Sequence, residues 1–218
     1  MCGRFALSIP LSKIAEYFEA LNRCDLTTSF NIAPTQDVAC LINDGEKKIV
    51  TFKWGLVPSW AKDPSIGYKM INARSETVAE KPSYRNALKK RRCIIVADGF
   101  YEWKHVDKIK TPYFIHLKDN IPFGFAGLYE HWEDTEGKVI DSCTIITTDA
   151  NDLVKSIHNR MPVILDKEQA NKWIDMKLDS IEVLPYLTPY PPELMQMYEV
   201  SPLINSLKLN SPDCIKPV

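Results

Sequence analysis

Residues 93–105 read CIIVADGFYEWKH. Cys93–Ala97 is a short, continuous apolar run, Asp98-Gly99 is a turn pair, and Phe100–His105 interleaves aromatic and charged side chains. A short apolar run bounded by a turn signal is a strand candidate, and the aromatics favour a second strand after it. Working outward, Tyr113–Leu117, Phe123–Tyr129 and Val139–Thr147 continue the pattern, punctuated by Lys118-Asp119-Asn120 and Glu136-Gly137. Upstream, Val38–Ile42 and Ile49–Trp54 flank Asn43-Asp44-Gly45 as a hairpin would, and Trp54, ending an alternating strand, reads as core. Helical spacing is confined to a few places. Leu11, Ile14, Ala15, Phe18 and Leu21 recur at threes and fours within Pro10–Asn22, and Asp149–Ile157 is a second candidate. Asp166–Met176 is a third, with Asp166 as N-cap and Gln169 completing a capping box. Met161–Leu165 reads as one more short strand, with Pro162 near its start. The proline-punctuated tail from Pro189 to Val218 carries enough apolar side chains to pack back on the body. Strand runs with irregularly placed helices predict an α+β fold with a mixed or largely antiparallel sheet, as a single domain over residues 1–218.

Composition agrees with a buried core: 218 residues are 45% hydrophobic and 25% charged, which excludes disordered and low-complexity classes. No run approaches the ~18 apolar residues of a membrane helix, and Met1-Cys2-Gly3-Arg4-Phe5 lacks the apolar core of a signal peptide. A cytoplasmic location without membrane partners is therefore expected. The net charge of −1 hides a division, because residues 47–110 hold 15 Lys and Arg against 6 Asp and Glu, leaving 12 against 22 elsewhere. A basic middle on an otherwise acidic chain suits a localised polyanion-binding face. Within it, Lys89-Lys90-Arg91-Arg92 reads as a solvated, charged helix end.

The six cysteines, at 2, 24, 40, 93, 143 and 214, form no C-x-x-C pair and no zinc-type Cys/His spacing, so neither a disulfide framework nor a bound metal or cofactor is expected. Cys93 and Cys143 lie in apolar runs and read as small buried hydrophobes. Cys2 differs. Removal of Met1 by an aminopeptidase would give an N-terminal cysteine with two nucleophiles on adjacent carbons, an amine with ordinary pKa of ~7.7–8.0 and a thiol of ~8.5. With an aldehyde, the amine forms a Schiff base and the thiol closes on the imine carbon as a thiazolidine. Three further segments hold polar groups able to assist. Met70–Thr77 is polar where a core strand should be apolar, Asp98–Lys104 sets Glu102 between Tyr101 and Trp103, and Ser156–Pro162 places His158 and Arg160 after a helix end.

These segments carry a resemblance. The chain is similar to the SRAP (SOS response-associated peptidase) family through Met1-Cys2-Gly3-Arg4-Phe5, Asn31-Ile32-Ala33-Pro34, Trp54-Gly55-Leu56-Val57-Pro58, Ile71-Asn72-Ala73-Arg74 with Glu76-Thr77, Asp98-Gly99-Phe100-Tyr101-Glu102-Trp103 and Ile157-His158-Asn159-Arg160-Met161-Pro162. The resemblance implies barrel-like sheets with peripheral helices, and covalent capture of abasic sites in single-stranded DNA, including single-strand/double-strand junctions. It implies that Cys2 is the double nucleophile, Asn72 positions the sugar or cysteine, Glu102 handles protons, and His158 assists opening of the sugar or stabilises its oxygen. Arg4, Arg74 and Arg160 fall inside the matched motifs as phosphate ligands, with Asn31, Pro34, Trp60 and Trp103 as neighbours for backbone contacts and stacking. The chain departs from the pattern at Ser29 and Pro82, where basic residues are common, and Arg85, Lys89 and Lys90 are expected to compensate. A nucleoid-associated setting would follow in a bacterium. Two other readings stay open at this point: a thiol peptidase acting on its own start through Cys2, His158 and Asn72, and a non-covalent binder of modified DNA.

Overall fold

The computed structural model describes residues 2–218. In chain order the elements are β1 (Phe5–Leu7), α1 (Leu11–Phe18), β2 (Leu21–Asn22), β3 (Ser29–Ile32), β4 (Asp37–Asn43), β5 (Lys47–Trp54), β6 (Asn72–Arg74), α2 (Arg85–Lys90), β7 (Arg92–Ala97), β8 (Gly99–Val106), β9 (Ile109–Leu117), β10 (Phe123–Glu133), β11 (Val139–Asp149), α3 (Asp152–Lys155), β12 (Arg160–Pro162), β13 (Ile164–Leu165), α4 (Lys167–Trp173), α5 (Ser180–Val183) and β14 (Met195–Glu199).

Five of these strands close on themselves. β5 pairs with β4, β4 with β7, β7 with β10 and β10 with β11, all antiparallel. A parallel step completes the ring, with Ser142 of β11 opposite Lys53 of β5 and Cys143 opposite Trp54. β7 is buried at every position, which is why residues 93–97 read as a continuous rather than alternating apolar run. A second, antiparallel sheet runs in the order β14-β9-β8-β1-β3. The α+β class with a mixed barrel is thus as expected. Among the described residues no helix is long and apolar enough to cross a membrane.

The two sheets meet at the start of the chain. β1 is flanked on both sides, Phe5 lying opposite Ile32 of β3 and Phe100 of β8. The Phe5 ring packs edge-on against Trp54 of β5 at 5.1 Å and Phe125 of β10 at 5.6 Å. The N-terminal strand therefore stitches the open sheet to the barrel, and Cys2, three residues before Phe5, is drawn into the core.

Several local expectations change. The Asp98-Gly99 turn is a crossing point between sheets, because β7 and β8 belong to different ones. Asp98 Oδ2 holds that crossing by accepting from the Ser8 N–H at 2.6 Å, the Ser8 hydroxyl at 2.7 Å and the Ile9 N–H at 2.8 Å. Gly99 is required there, since a Cβ would sit 2.0 Å from the Phe114 ring. The first helix stops at Phe18 because Glu19 turns left-handed, φ 54°, and Leu21–Asn22 pairs with β5 instead. Asp149 stays in β11, so the second helix is only Asp152–Lys155, capped by Asn151. Met161–Leu165 divides into β12 on β11 and β13 on β10, and the capping box of Asp166 and Gln169 opens α4 as predicted. The basic run is also divided. Lys89 and Lys90 are exposed, but Arg91 pairs with Glu130 at 2.8 Å, and Arg92 is fully buried. Its guanidinium donates to the carbonyls of Trp173, Leu88, Asp175 and Leu178 and lies over the Trp173 ring. Arg92 is thus a structural pin and not part of a solvated end.

Candidate active site

Strand β1 fixes Cys2 by fixing Phe5. Tyr101 N–H donates to the Arg4 carbonyl at 2.9 Å, extending the β1–β8 pairing back toward the terminus. Cys2 is fully buried, with its Sγ 4.0 Å from the Arg4 carbonyl oxygen. Asn72 reaches it from β6, donating its side-chain N–H to the Cys2 carbonyl at 2.8 Å. The Asn72 carbonyl oxygen, Oδ1, is buried with no hydrogen-bond partner among the described residues. β6 pairs parallel with β11, Asn72 opposite Ile145 and Arg74 opposite Thr147, with Ala73 buried in the core, Asn72 turned to the terminus and Arg74 exposed.

Glu102 stands on β8 with 4% of its surface exposed. Burial pushes its carboxyl up to about 7, despite a backbone N–H from Trp103 that favours the ionised form. Burial also pushes the Cys2 thiol up, and the charge of Glu102 adds to the rise, so these two groups sense each other electrostatically. His158 follows α3, its own N–H donating to Val154 O at 2.9 Å, and its Nδ1 accepts the Arg160 N–H at 3.0 Å. The same nitrogen stands 3.1 Å from the Arg160 carbonyl oxygen, to which the other tautomer would donate, so the Arg160 backbone holds the ring in either form. Burial and neighbouring positive charge, including Arg160, push the imidazole down, toward its neutral form.

The segments carrying Asn72 and His158 occupy opposite edges of one strand. Thr147 of β11 pairs with Arg74 on one side and Pro162 on the other. Arg160 bridges them, forking onto Glu76 and donating to Asp149 at 2.8 Å and to the Thr147 carbonyl at 2.7 Å. Glu76 and Asp149 are site-building residues that charge patterns alone did not single out in this role.

The remaining predicted residues divide by position. Arg74, Arg85 and Trp60 are exposed, Trp60 to 58%, on β6, on α2 and in the loop before Ala61, whose carbonyl accepts from Trp132 Nε1 at 2.7 Å. Pro34 is half-buried beside Thr35, which has φ 73°. Asn31 is only 3% exposed, and its side chain is spent on Arg4 and on the C-terminal tail rather than pointing to solvent. Arg4 Nη1 donates to Asn31 Oδ1 and, at 2.9 Å, to the Ile204 carbonyl, and its guanidinium lies 5.9 Å over the half-buried Trp103 ring. No cluster of three or more His, Cys, Asp or Glu suited to a metal ion occurs among the described residues.

Comparison with known proteins follows this geometry. The family model for SOS response associated peptidase (SRAP) matches residues 1–207. The chain is 48% identical to the abasic site processing protein YoqW of Bacillus subtilis over 99% of both chains. It is 31% identical to the abasic site processing protein HMCES of Gallus gallus, over the whole of this chain and 78% of that one. A crystal structure of a protein from Bacteroides thetaiotaomicron superposes with a TM-score of 0.93 at 29% identity, covering all of both chains, and one from Bordetella bronchiseptica with 0.80 at 27%, covering 92% and 100%. With a family model spanning nearly all of its length and relatives matched end to end, this chain belongs to the SOS response associated peptidase (SRAP) family.

Proposed function

We propose that this protein processes abasic sites in single-stranded DNA by covalent capture, through Cys2 once it has become the N-terminal residue. The α-amine attacks the C1′ aldehyde of the ring-opened deoxyribose, and the resulting carbinolamine loses its hydroxyl as water. The Cys2 thiol then adds to the imine carbon, its proton passing to nitrogen, and a thiazolidine closes. Water is the only leaving group. Dehydration needs a group that can give a proton to the departing hydroxyl, and addition of the amine needs one that can accept a proton. A carboxyl held near 7 has both forms at neutral pH, and Glu102 is such a group. This observation, a buried carboxyl near neutrality coupled to the Cys2 thiol, carries the reading. Asn72 holds the Cys2 backbone through its amide N–H and keeps a buried oxygen available for the amine or the sugar. His158, pushed toward its neutral form and held by the Arg160 backbone, serves the opened sugar's hydroxyl.

The names of the relatives support the same substrate class. A cysteine-peptidase reading fits less well, since that chemistry needs a thiolate stabilised by an imidazolium. Here burial pushes the thiol up and the imidazole down, away from that ion pair. Phosphate contacts are assigned to Arg4, Arg74 and Arg85, while Arg160 already faces two carboxylates. The test is incubation with an abasic oligonucleotide followed by a denaturing gel, with the start of the protein verified by intact mass. A denaturant-stable adduct that disappears in Cys2→Ala is expected. A sample beginning at Cys2 that leaves the oligonucleotide unmodified would overturn the proposal.

A further inference from the structure

After β14 the chain does not leave the fold but returns beside the reactive terminus. Tyr198 and the main chain at Val200 tie it to the open sheet, through Tyr198 Oη to Ile215 O at 2.7 Å and Val200 N–H to Pro112 O at 3.0 Å. Asn31 then grips residues 204–209, its one amide nitrogen donating to Leu209 O at 2.7 Å and Ser206 O at 3.0 Å, with Ile204 O at 3.4 Å. The oxygen of that same amide accepts from Arg4. Asn205 adds a second grip, accepting the Trp103 indole N–H at 2.9 Å.

The consequence lies in the partners Arg4 has. Both acceptors of its Nη1 are neutral carbonyl oxygens, those of Asn31 and Ile204, and its ring neighbour Trp103 is also uncharged. Arg160, by contrast, is neutralised by Glu76 and Asp149. Among the described residues no carboxylate pairs with Arg4, so it is held in place without its charge being cancelled there, two residues from the nucleophile. Neutral acceptors orient a guanidinium while leaving it free to bind an anion, and bidentate recognition of phosphate depends on that orientation.

Resting on the proposed DNA function, we infer that the C-terminal segment 203–209, with Asn205 as an exposed side-chain contact to the site, is a positioning element for the DNA backbone. Asn205 fixes the Trp103 ring, and the ring with the Ile204 carbonyl fixes the Arg4 guanidinium toward a phosphate next to the abasic sugar. Asn205 is itself exposed and contributes little to the core, so its removal leaves the fold intact.

The test separates binding from chemistry. On full-length processed protein, adduct formation is followed against oligonucleotide concentration for wild type, Asn205→Ala and Asn205→Gln. Losing one acceptor on an aromatic support should raise the half-saturating DNA concentration about three- to tenfold with the maximal rate unchanged. Asn205→Gln, which keeps a carbonyl acceptor, should recover most of that loss. In parallel, the ¹⁵N-indole resonance of Trp103 should move in Asn205→Ala and return toward wild type in Asn205→Gln. Non-covalent binding to an oligonucleotide carrying a tetrahydrofuran abasic analogue, which has no aldehyde, should weaken by the same factor in a Cys2→Ala background. Unchanged half-saturation and unchanged analogue binding in Asn205→Ala would overturn the inference while wild-type adduct formation left the proposed function standing. Wild-type protein that binds the analogue but never forms an adduct would sink the covalent reading instead.

Discussion

Replacing Glu102 with Gln should make the protein more stable and less active, and the stability change should depend on pH. The carboxyl sits at about 7 in the fold against an ordinary 4.5 because burial penalises its charge. Between those two values the folded state binds more protons than the unfolded chain, so stability falls as pH rises. The loss begins near pH 4.5 and is complete above about 7. At ~1.4 kcal/mol per pKa unit, it amounts to roughly 3 kcal/mol. Gln keeps the shape of the side chain and removes the ionisation. Urea denaturation of wild type and Glu102→Gln at pH 5 and pH 8 isolates the effect, because Asp98, His116 and His158, which also titrate abnormally, are common to both proteins and cancel in the difference. The stability of Glu102→Gln relative to wild type should rise by about 2–3 kcal/mol from pH 5 to pH 8. Adduct formation should fall by about 10²–10⁴-fold, the usual contribution of a positioned acid–base group. The wild-type rate should show an alkaline limb near 7 that the variant lacks. A stability difference that stays flat between pH 5 and pH 8 would mean that Glu102 ionises as an ordinary carboxyl, and its assignment as the proton-handling group would fall.

The divided basic run gives a paired test: Arg92→Ala should lower stability by about 3 kcal/mol or more, by opening a cavity and stranding buried carbonyls, while leaving the salt dependence of DNA binding alone. The triple variant Arg85→Ala, Lys89→Ala, Lys90→Ala should do the opposite, leaving the melting temperature unchanged and reducing the slope of log affinity against log salt by up to about 2. Asn72→Ala removes the N–H that holds the Cys2 carbonyl, and should slow adduct formation about tenfold or more, read by single-turnover gel assay at saturating DNA. Gly99→Ala drives a methyl into the Phe114 ring at the sheet crossing and should destabilise by over 2 kcal/mol in urea titration, with β8 and hence Glu102 displaced.

Strands with strong local patterns were legible in the sequence. β4, β5, β7, β8, β10 and β11 announce themselves through apolar runs, alternation and turn pairs, and these include every strand of the closed barrel. β1, β3 and β14 were not anticipated, because each is short and gains its pairing only from distant partners, as Phe5 does from Ile32 and Phe100. The Asp98-Gly99 pair was legible as a turn, but composition reports a change of direction and not which sheet receives the chain. For the site, Cys2, Asn72, Glu102 and His158 are candidates that residue type and the family resemblance single out. Their surroundings could not be read that way, since burial of Glu102, the gripping of the tail by Asn31 and the neutralisation of Arg160 all arise from long-range contacts. The Lys89–Arg92 run shows the same limit: four adjacent cations look alike in sequence, yet one of them is a core residue.

Chain termini are ordinarily the loosest part of a domain, and a nucleophile placed there should be poorly aimed. In this fold Phe5 is locked between two sheets, β1 is paired on both edges, and the ordering of the few residues before it is offset by that burial. The arrangement also explains how a thiol with so little thiolate can serve. In thiazolidine formation the sulfur attacks a carbon already bonded to the amine of the same residue, so the second step is intramolecular and its effective concentration is very high. The thiol need not be activated in advance. On the proposed function, what the fold must supply is the placement of one aldehyde beside one amine, a proton donor and acceptor within reach, and a guanidinium to hold the adjacent phosphate. Asn72, Glu102 and Arg4 come to the same terminus from β6, β8 and the residue preceding β1, and the barrel and the open sheet exist in the right relation only because Phe5 joins them.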